Sequence, residues 1–131
     1  MFQWEEFREI ANELLSNPQE AYLRCAVSRN YYAVFGSTRE YLIDIMQKYE
    51  FEDRKDIHKR VFDELIESHD LNEVHLAKCL NFLRIARNHA DYDKIDECPK
   101  YFEEKLEKIT KKTNDAFESL EVLKNNPPFK F

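Results

Sequence analysis

The sequence predicts an all-α protein, a four- to five-helix up-and-down bundle, on three observations. Glycine occurs once in 131 residues, at Gly36, whereas a β-rich fold needs many residues that tolerate positive φ in its turns. The four prolines leave residues 19–98 free of helix breakers. Apolar residues also recur at spacings of three and four, the period of an amphipathic helix. A chain of this length, with 43% hydrophobic residues, suits a single domain over residues 1–131.

The first two helices are divided at Asn17 and Pro18, because the residue before a proline is driven out of the α region. A second helix is predicted from about Gln19 towards Tyr49, and at about 1.5 Å per residue it would be roughly 45 Å long, the spine of the bundle. The first helix, within residues 2–15, carries the apolar residues Phe2, Phe7, Ile10, Ala11, Leu14 and Leu15. The second carries Tyr22, Cys25, Ala26, Tyr32, Ala33, Phe35, Leu42, Ile45 and Met46.

The rest of the chain predicts a short third helix, a fourth helix and a last one. Residues 50–55 form a charged connection to the third, and Asn72 caps the fourth, with Glu73 in its first turn. Pro99 is placed to open the last helix, which runs over about 100–124. In these three helices the predicted inward residues are Ile57, Val61, Phe62, Leu65 and Ile66; Val74, Leu76, Ala77, Leu80, Leu83 and Ala86; and Phe102, Leu106, Ile109, Ala116, Phe117, Leu120 and Leu123.

Composition and motifs argue against several classes of function. The net charge of −6 argues against high-affinity, backbone-driven nucleic-acid binding. No glycine-rich phosphate loop, Cys-x-x-Cys or His-Glu-x-x-His pattern occurs, so neither a metal nor an organic cofactor is expected. The cysteines lack metal-ligand spacing, and Cys25 and Cys79, unlike Cys98, fall on predicted core positions, which favours buried thiols in a reducing compartment.

No membrane association is expected from the distribution of charges. The longest stretch without a charged residue spans positions 30–38, far short of the roughly 20 apolar residues that a membrane helix requires. No basic segment followed by an apolar run begins the sequence, so no secretory signal is visible. The sequence therefore predicts a cytoplasmic protein.

Polar residues form one sector at the end of the otherwise apolar fourth helix. At about 100° per residue, Arg84 and Asn88 lie about 40° apart, as do Arg87 and Asp91. Two interpretations stay open. In the first, Arg87 and Asp91 form an i, i+4 pair that contributes a few tenths of a kcal/mol. In the second, the guanidinium groups hold a phosphate, and His89 or Tyr92 moves a proton.

Two segments resemble the motifs of small HEPN-domain proteins. Residues 26–35, Ala-Val-Ser-Arg-Asn-Tyr-Tyr-Ala-Val-Phe, are similar to that family's Ser-Arg-x-Tyr-Tyr-Ala-x-Phe segment. Residues 83–92, Leu-Arg-Ile-Ala-Arg-Asn-His-Ala-Asp-Tyr, are similar to its Arg-Asn-x-Ala-Asp-Tyr segment. The two lie in helices of the expected order, and the resemblance covers essentially the whole chain. It implies a HEPN-like bundle that pairs two-fold and brings two polar motifs into one cleft.

The resemblance also implies a function. Many HEPN proteins are metal-independent endoribonucleases, often in toxin–antitoxin or defence systems beside a nucleotidyltransferase-fold partner. An arginine would bind the scissile phosphate, a histidine would act as general acid–base, and the ribose 2′-hydroxyl would be the nucleophile. We therefore expect a homodimeric endoribonuclease or nucleotide-binding protein. The alternative is a catalytically degenerate HEPN module that binds a nucleotide or a partner protein, for example one with the nucleotidyltransferase fold.

The catalytic signature fits this sequence in two registers. Arg84 and His89 have the family's spacing, but an apolar residue follows the arginine. Arg87 with Asn88 gives the preferred arginine and amide, but Tyr92 stands where the histidine would be, and a phenol that titrates near pH ~10 is a poor general base at neutral pH. The candidate catalytic residues are Arg84, Arg87, Asn88 and His89.

Further residues are expected to support or extend this site. Tyr32 lies on the apolar face of the long helix, so we expect it in the core with its hydroxyl bonded to the fourth helix. Arg29 is expected to reach the polar sector, for example at Asp91. The supporting or binding set is Arg29, Tyr32, Asp91 and Tyr92. Trp4 and Phe131 are expected to be exposed, and His58, His69 and His75 to be solvent-exposed or capping residues outside the site.

Overall fold

Five α-helices form the chain in the computed structural model, which describes residues 1–93 and 98–128, and side chains at 1–93 and 104–128. The described residues contain no strand, so the all-α prediction is confirmed as a helical bundle. The sequence-based expectations for Cys98, Pro99, Phe102 and the tail at 129–131 concern side chains outside the described ones. The helices are α1 (Glu5–Leu14), α2 (Glu20–Glu40), α3 (Ile57–Ile66), α4 (Leu71–Tyr92) and α5 (Cys98–Asn125).

Helix α2 is the spine of the bundle and packs against α1, α4 and α5. It is shorter than predicted: a π-helical turn at Tyr41–Ile45 continues it, and the chain then leaves the helix at Gln47, whose φ of 58° is left-handed. Tyr22 and Cys25 are exposed, although the sequence places them inward. Cys25 lies in an open groove that is also lined by Leu14.

Helix α4 begins two residues earlier than expected. The Asp70 carboxylate, in place of Asn72, caps it by accepting the backbone N–H groups of Asn72 at 2.8 Å and Glu73 at 3.0 Å. The Glu73 side chain turns inward, where it accepts hydrogen bonds from the hydroxyls of Tyr41 (3.0 Å) and Ser68 (2.6 Å). These bonds offset the cost of burying a carboxylate. Burial, reinforced by the Glu73 carboxylate, raises the pKa of Tyr41.

The single glycine of the chain is where α1 docks on α2. A Cβ at Gly36 would lie 2.0 Å from Cδ2 of Trp4, so the absence of a side chain makes a slot for the indole. Trp4 is consequently half-buried, and the expectation that it is exposed is wrong. Its ring also packs edge-on against Phe2 and Phe7, with centroids 5.2 Å and 5.7 Å away. Phe2 and Ile10, both expected inward, are 51% and 44% exposed.

The remaining elements follow the predicted pattern closely. Helix α3 buries Val61 and Leu65, and α5 buries the expected residues Ile109, Ala116, Leu120 and Leu123. The connection at residues 50–55 includes a 3₁₀ turn, Tyr49–Glu52, whose Phe51 enters the core. None of the described helices has the length and apolar character that a membrane crossing requires.

Candidate functional site

The polar sector of α4 faces the middle of α2, where Arg87 is surrounded by aromatic rings. Its guanidinium carbon lies 5.2 Å from the ring centroid of Tyr31, 5.5 Å from that of Tyr32 and 5.9 Å from that of Tyr92. Its side chain is only 11% exposed, and Nη1 lies 3.7 Å from Oδ2 of Asp91. The Arg87 Nε is buried without a hydrogen-bond partner. The guanidinium is thus held in place while part of its donor capacity stays unused.

Asp91 connects α4 to α2 through a hydroxyl. Ser28 donates to the Asp91 carboxylate at 3.4 Å, and Nη2 of Arg29 donates to the Ser28 hydroxyl at 3.4 Å. The Arg29 guanidinium lies over the rings of Phe7 and Tyr32, at 4.9 Å and 5.3 Å. The expected contact between Arg29 and Asp91 is therefore indirect, because the rings of α1 and α2 hold the guanidinium beside α2.

The two neighbouring tyrosines of α2 have different roles from those expected. Tyr31, at 1% exposed, is the fully buried one, whereas Tyr32 is half-buried. The Tyr31 hydroxyl lies 2.5 Å from Nδ1 of His58, on α3 and not on α4. Burial raises the pKa of Tyr31 although Arg87 and Arg84 act in the opposite direction. The phenol therefore stays protonated and is hydrogen-bonded to the imidazole.

His58 is the residue that the sequence interpretation missed. Its ring stacks on Phe35 with centroids 4.2 Å apart. Burial lowers the pKa of His58, and the charges of Arg87 and Arg84 lower it further. A signal existed in the sequence: at about 100° per residue, His58 lies within about 40° of Phe62 on α3, so it shares the inward face of that helix.

Arg84 is exposed and extends the site towards α3. It lines a cavity of about 310 Å³ between α3 and α4 together with His58 and Asn81. Among the residues whose side chains are described, no carboxylate forms an ion pair with Arg84. Asn88 is half-buried on the same sector of α4.

His89 points away from the arginines of its own chain. Because His89 follows Arg84 by five residues on the same helix, the two side chains point in directions about 140° apart. Its Nδ1 pairs with the carboxylate of Asp93, and its side chain is 39% exposed. Arg24 donates to the carbonyls of His89 (3.3 Å) and Ala90 (2.8 Å), which satisfies backbone groups at the end of α4. Within one chain, the structure brings Arg84, Arg87 and His58 together but leaves His89 outside.

Comparison with known proteins gives a similarity but no function. No protein-family model and no solved structure matches the chain. A relative from Methanocaldococcus jannaschii, an uncharacterized protein, is 35% identical over 109 residues. The match covers 71% of this chain and 62% of the relative, so the chain spans less than two thirds of that protein's length. Since the relative is itself uncharacterized, the similarity assigns no activity.

Proposed function

We propose that this chain is a HEPN-type protein that binds the phosphate of RNA or of a nucleotide through Arg84 and Arg87, as a cytoplasmic homodimer. The observation that carries the proposal is the fixed Arg87 guanidinium, stacked among three tyrosine rings, with Arg84 one turn away on the same helix. Paired guanidinium groups bind phosphate oxygens through charge-assisted hydrogen bonds. The ring of Tyr92, which is 74% exposed, offers a surface on which a base can stack.

The local charge at this site is opposite in sign to that of the whole protein. Arg87 pairs with the Asp91 carboxylate at 3.7 Å, and no carboxylate among the described side chains forms an ion pair with Arg84. The whole chain carries −6. A long polyanion would be repelled by most of the surface, whereas one or a few phosphates could be bound at the arginines. The proposal therefore favours a short stretch of RNA or a nucleotide over double-stranded nucleic acid.

The homodimer is supported by apolar residues beside the arginines. Ile85 and Tyr92, on α4, are 46% and 74% exposed. Seven residues apart on a helix, they lie within about 20° of each other. Exposed apolar side chains on one face are the kind of surface that protein contacts cover. A two-fold pairing of this face would bring two arginine pairs close together.

Metal-independent RNA cleavage is the second candidate, and one contact favours it. The Asp93 carboxylate holds His89 through Nδ1, the arrangement in which a carboxylate orients an imidazole for acid–base work. Because His89 lies about 140° from Arg84 on α4, cleavage would need an arginine from the second copy. A protein that binds but does not cut would instead be the degenerate module, with the nucleotidyltransferase-fold protein as its expected partner.

Binding of a fluorescent 2′-O-methyl RNA oligonucleotide, followed by anisotropy, tests the proposal without interference from cleavage. Arg84→Gln and Arg87→Gln should each weaken binding about tenfold, the effect of losing a charged hydrogen bond. Arg87→Lys keeps the charge but loses the planar fork and should also bind more weakly. Lys78→Gln, an exposed position on the same helix, is the charge-matched control and should bind like the wild type.

Equal losses in Arg84→Gln, Arg87→Gln and Lys78→Gln, with none in Arg87→Lys, would indicate nonspecific attraction. No binding by the wild type would reject the proposal. Cleavage is tested separately with unmodified end-labelled RNA in EDTA, comparing the wild type with His89→Ala. Products that disappear in His89→Ala support the second candidate. Products that persist in that variant reject it.

A further inference from the structure

We propose that the phosphate lies in the cavity between α3 and α4 and that His58 donates to it from Nε2, beside Arg84. This inference rests on the function proposed above and adds a residue from a different helix to the site. It assigns to His58 the role of a phosphate ligand. The phosphate in question is an RNA phosphodiester.

The cavity has the size and the lining of a small anion site. Its volume is about 310 Å³, at the lower end of the range for pockets that hold small ligands. Its lining residues are His58, Lys59, Phe62, Asp63, Asn81 and Arg84.

The donors in this cavity exceed the acceptors. The Lys59 ammonium group is paired with the Asp63 carboxylate at 2.7 Å, so these two charges neutralise each other. The polar groups left to bind a ligand are the Arg84 guanidinium, the amide of Asn81 and the ring of His58. An oxyanion is the ligand that matches one uncompensated positive charge surrounded by N–H donors.

The hydrogen bond to Tyr31 determines which nitrogen of His58 serves the cavity. The Tyr31 hydroxyl lies 2.5 Å from Nδ1 and has no other hydrogen-bond partner among the described side chains. We therefore assign the buried O–H as the donor to Nδ1, which in the neutral ring leaves the hydrogen on Nε2. Stacking on Phe35 at 4.2 Å fixes the plane of the ring. His58 lines the cavity and its Nδ1 is occupied from the side of α2, which leaves Nε2–H as the ring donor for a ligand.

The charges around His58 predict that binding is linked to a proton. Arg84 and Arg87 face it from α4, with Tyr31 and Tyr32 from α2, and its α3 neighbours Lys59 and Asp63 neutralise each other. In the unliganded protein, burial and the two arginines keep the pKa of His58 low. A bound phosphate neutralises that positive field, so the pKa of His58 rises on binding. Affinity should therefore increase as the pH falls.

Nuclear magnetic resonance titration of the histidine side chains, with and without the 2′-O-methyl RNA, tests the inference directly. Phosphodiesters keep a constant charge over the range used, so a change arises from the protein. We expect the midpoint of His58 to move to higher pH when RNA is bound, while at constant pH the ring resonances of His69 and His75 stay in place. Wild-type affinity should rise about threefold or more between about pH 8 and pH 6. In His58→Gln, which keeps a donor but cannot charge, it should not.

Arg84→Gln provides a second variant at an exposed position, in case His58→Gln is poorly folded. In that protein the midpoint of His58 should be higher without RNA and should shift less when RNA is added. The inference is overturned if RNA binds with the His58 midpoint unchanged. It is also overturned if binding depends on Arg87 but is indifferent to His58, a result that leaves the proposed function intact. Failure of the wild type to bind RNA would reject both.

Discussion

Replacing Gly36 by alanine should destabilise the protein, against the usual effect of that change. In the middle of a helix, glycine to alanine ordinarily stabilises by about 1 kcal/mol. At this position, however, the new Cβ would lie 2.0 Å from Cδ2, 2.3 Å from Cε3 and 2.4 Å from Cγ of Trp4. These are backbone-proximal ring atoms, not the tip of a flexible chain. The indole must therefore leave its slot, and α1 must shift with it.

The size of the effect follows from the contacts that are lost. A tryptophan buries about 150–250 Å² when fully packed, and Trp4 is half-buried. At about 25 cal/mol per Å², losing that burial costs roughly 2–3 kcal/mol, and the edge-on contacts with Phe2 and Phe7 add about 0.5–1.5 kcal/mol. After subtraction of the gain in helix propensity, Gly36→Ala should lower the free energy of unfolding by about 1.5–3.5 kcal/mol.

Urea denaturation followed by circular dichroism measures this free energy in the wild type, Gly36→Ala, Trp4→Ala and the double variant. In the absence of the indole, Gly36→Ala should stabilise by up to about 1 kcal/mol, so its sign depends on Trp4. Because Trp4 is the only tryptophan, its fluorescence should also shift to longer wavelength in Gly36→Ala. A Gly36→Ala protein that is more stable than the wild type, with unchanged emission, would refute the docking of α1 at this position.

Three further predictions test the cap of α4, the thiols and the titration of His58. Asp70→Ala should lower the free energy of unfolding by about 0.5–2 kcal/mol, whereas Asn72→Ala should change it by much less; equal losses in denaturation experiments would contradict the assigned cap. In a Cys98→Ser background at about pH 8, a thiol reagent should modify the exposed Cys25 rapidly and the buried Cys79 slowly, because burial raises the pKa of Cys79. Equal rates of modification at the two cysteines would be inconsistent with the structure. Because folding lowers the pKa of His58, the stability that the neutral ring contributes is present above the unfolded pKa of about 6.5 and is lost as the pH falls below it. The free energy of unfolding of His58→Gln should therefore depend less on pH than that of the wild type. The same pH dependence in both proteins would exclude this linkage.

Much of the fold could be predicted because helical periodicity and helix breakers are local signals. Pro18 and the scarcity of glycine predict where helices separate and that strands are absent. The exposure of Cys25 could not be predicted, since it depends on which helix end the core reaches. The docking of Trp4 on Gly36 likewise joins residues that are distant in the chain. Periodicity reports which face of a helix is apolar but not what covers that face.

For the candidate site as well, the sequence predicts how residues are arranged on one helix but not which residues another helix brings beside them. The shared sector of Arg84 and Arg87 follows from the geometry of a single helix, and so does the divergence of Arg84 from His89, about 140° apart. The histidine that does lie beside the arginines, His58, comes from another helix. Its place depends on how α3 packs against α2 and α4, which no local pattern encodes. Only that packing shows that Tyr31, and not Tyr32, is the tyrosine that is hydrogen-bonded to His58.

The central claim, that Arg84 and Arg87 bind a phosphate, is tested most directly by the Nε–Hε resonances of the arginines during titration with the 2′-O-methyl RNA. The Nε of Arg87 is buried without a partner, so its resonance should move strongly when a phosphate approaches. The resonances of Arg84 and Arg87 should shift together, while that of Arg39, which donates to the carbonyl of Phe51, stays in place. Saturable RNA binding that leaves both the Arg84 and Arg87 resonances unmoved would contradict the claim.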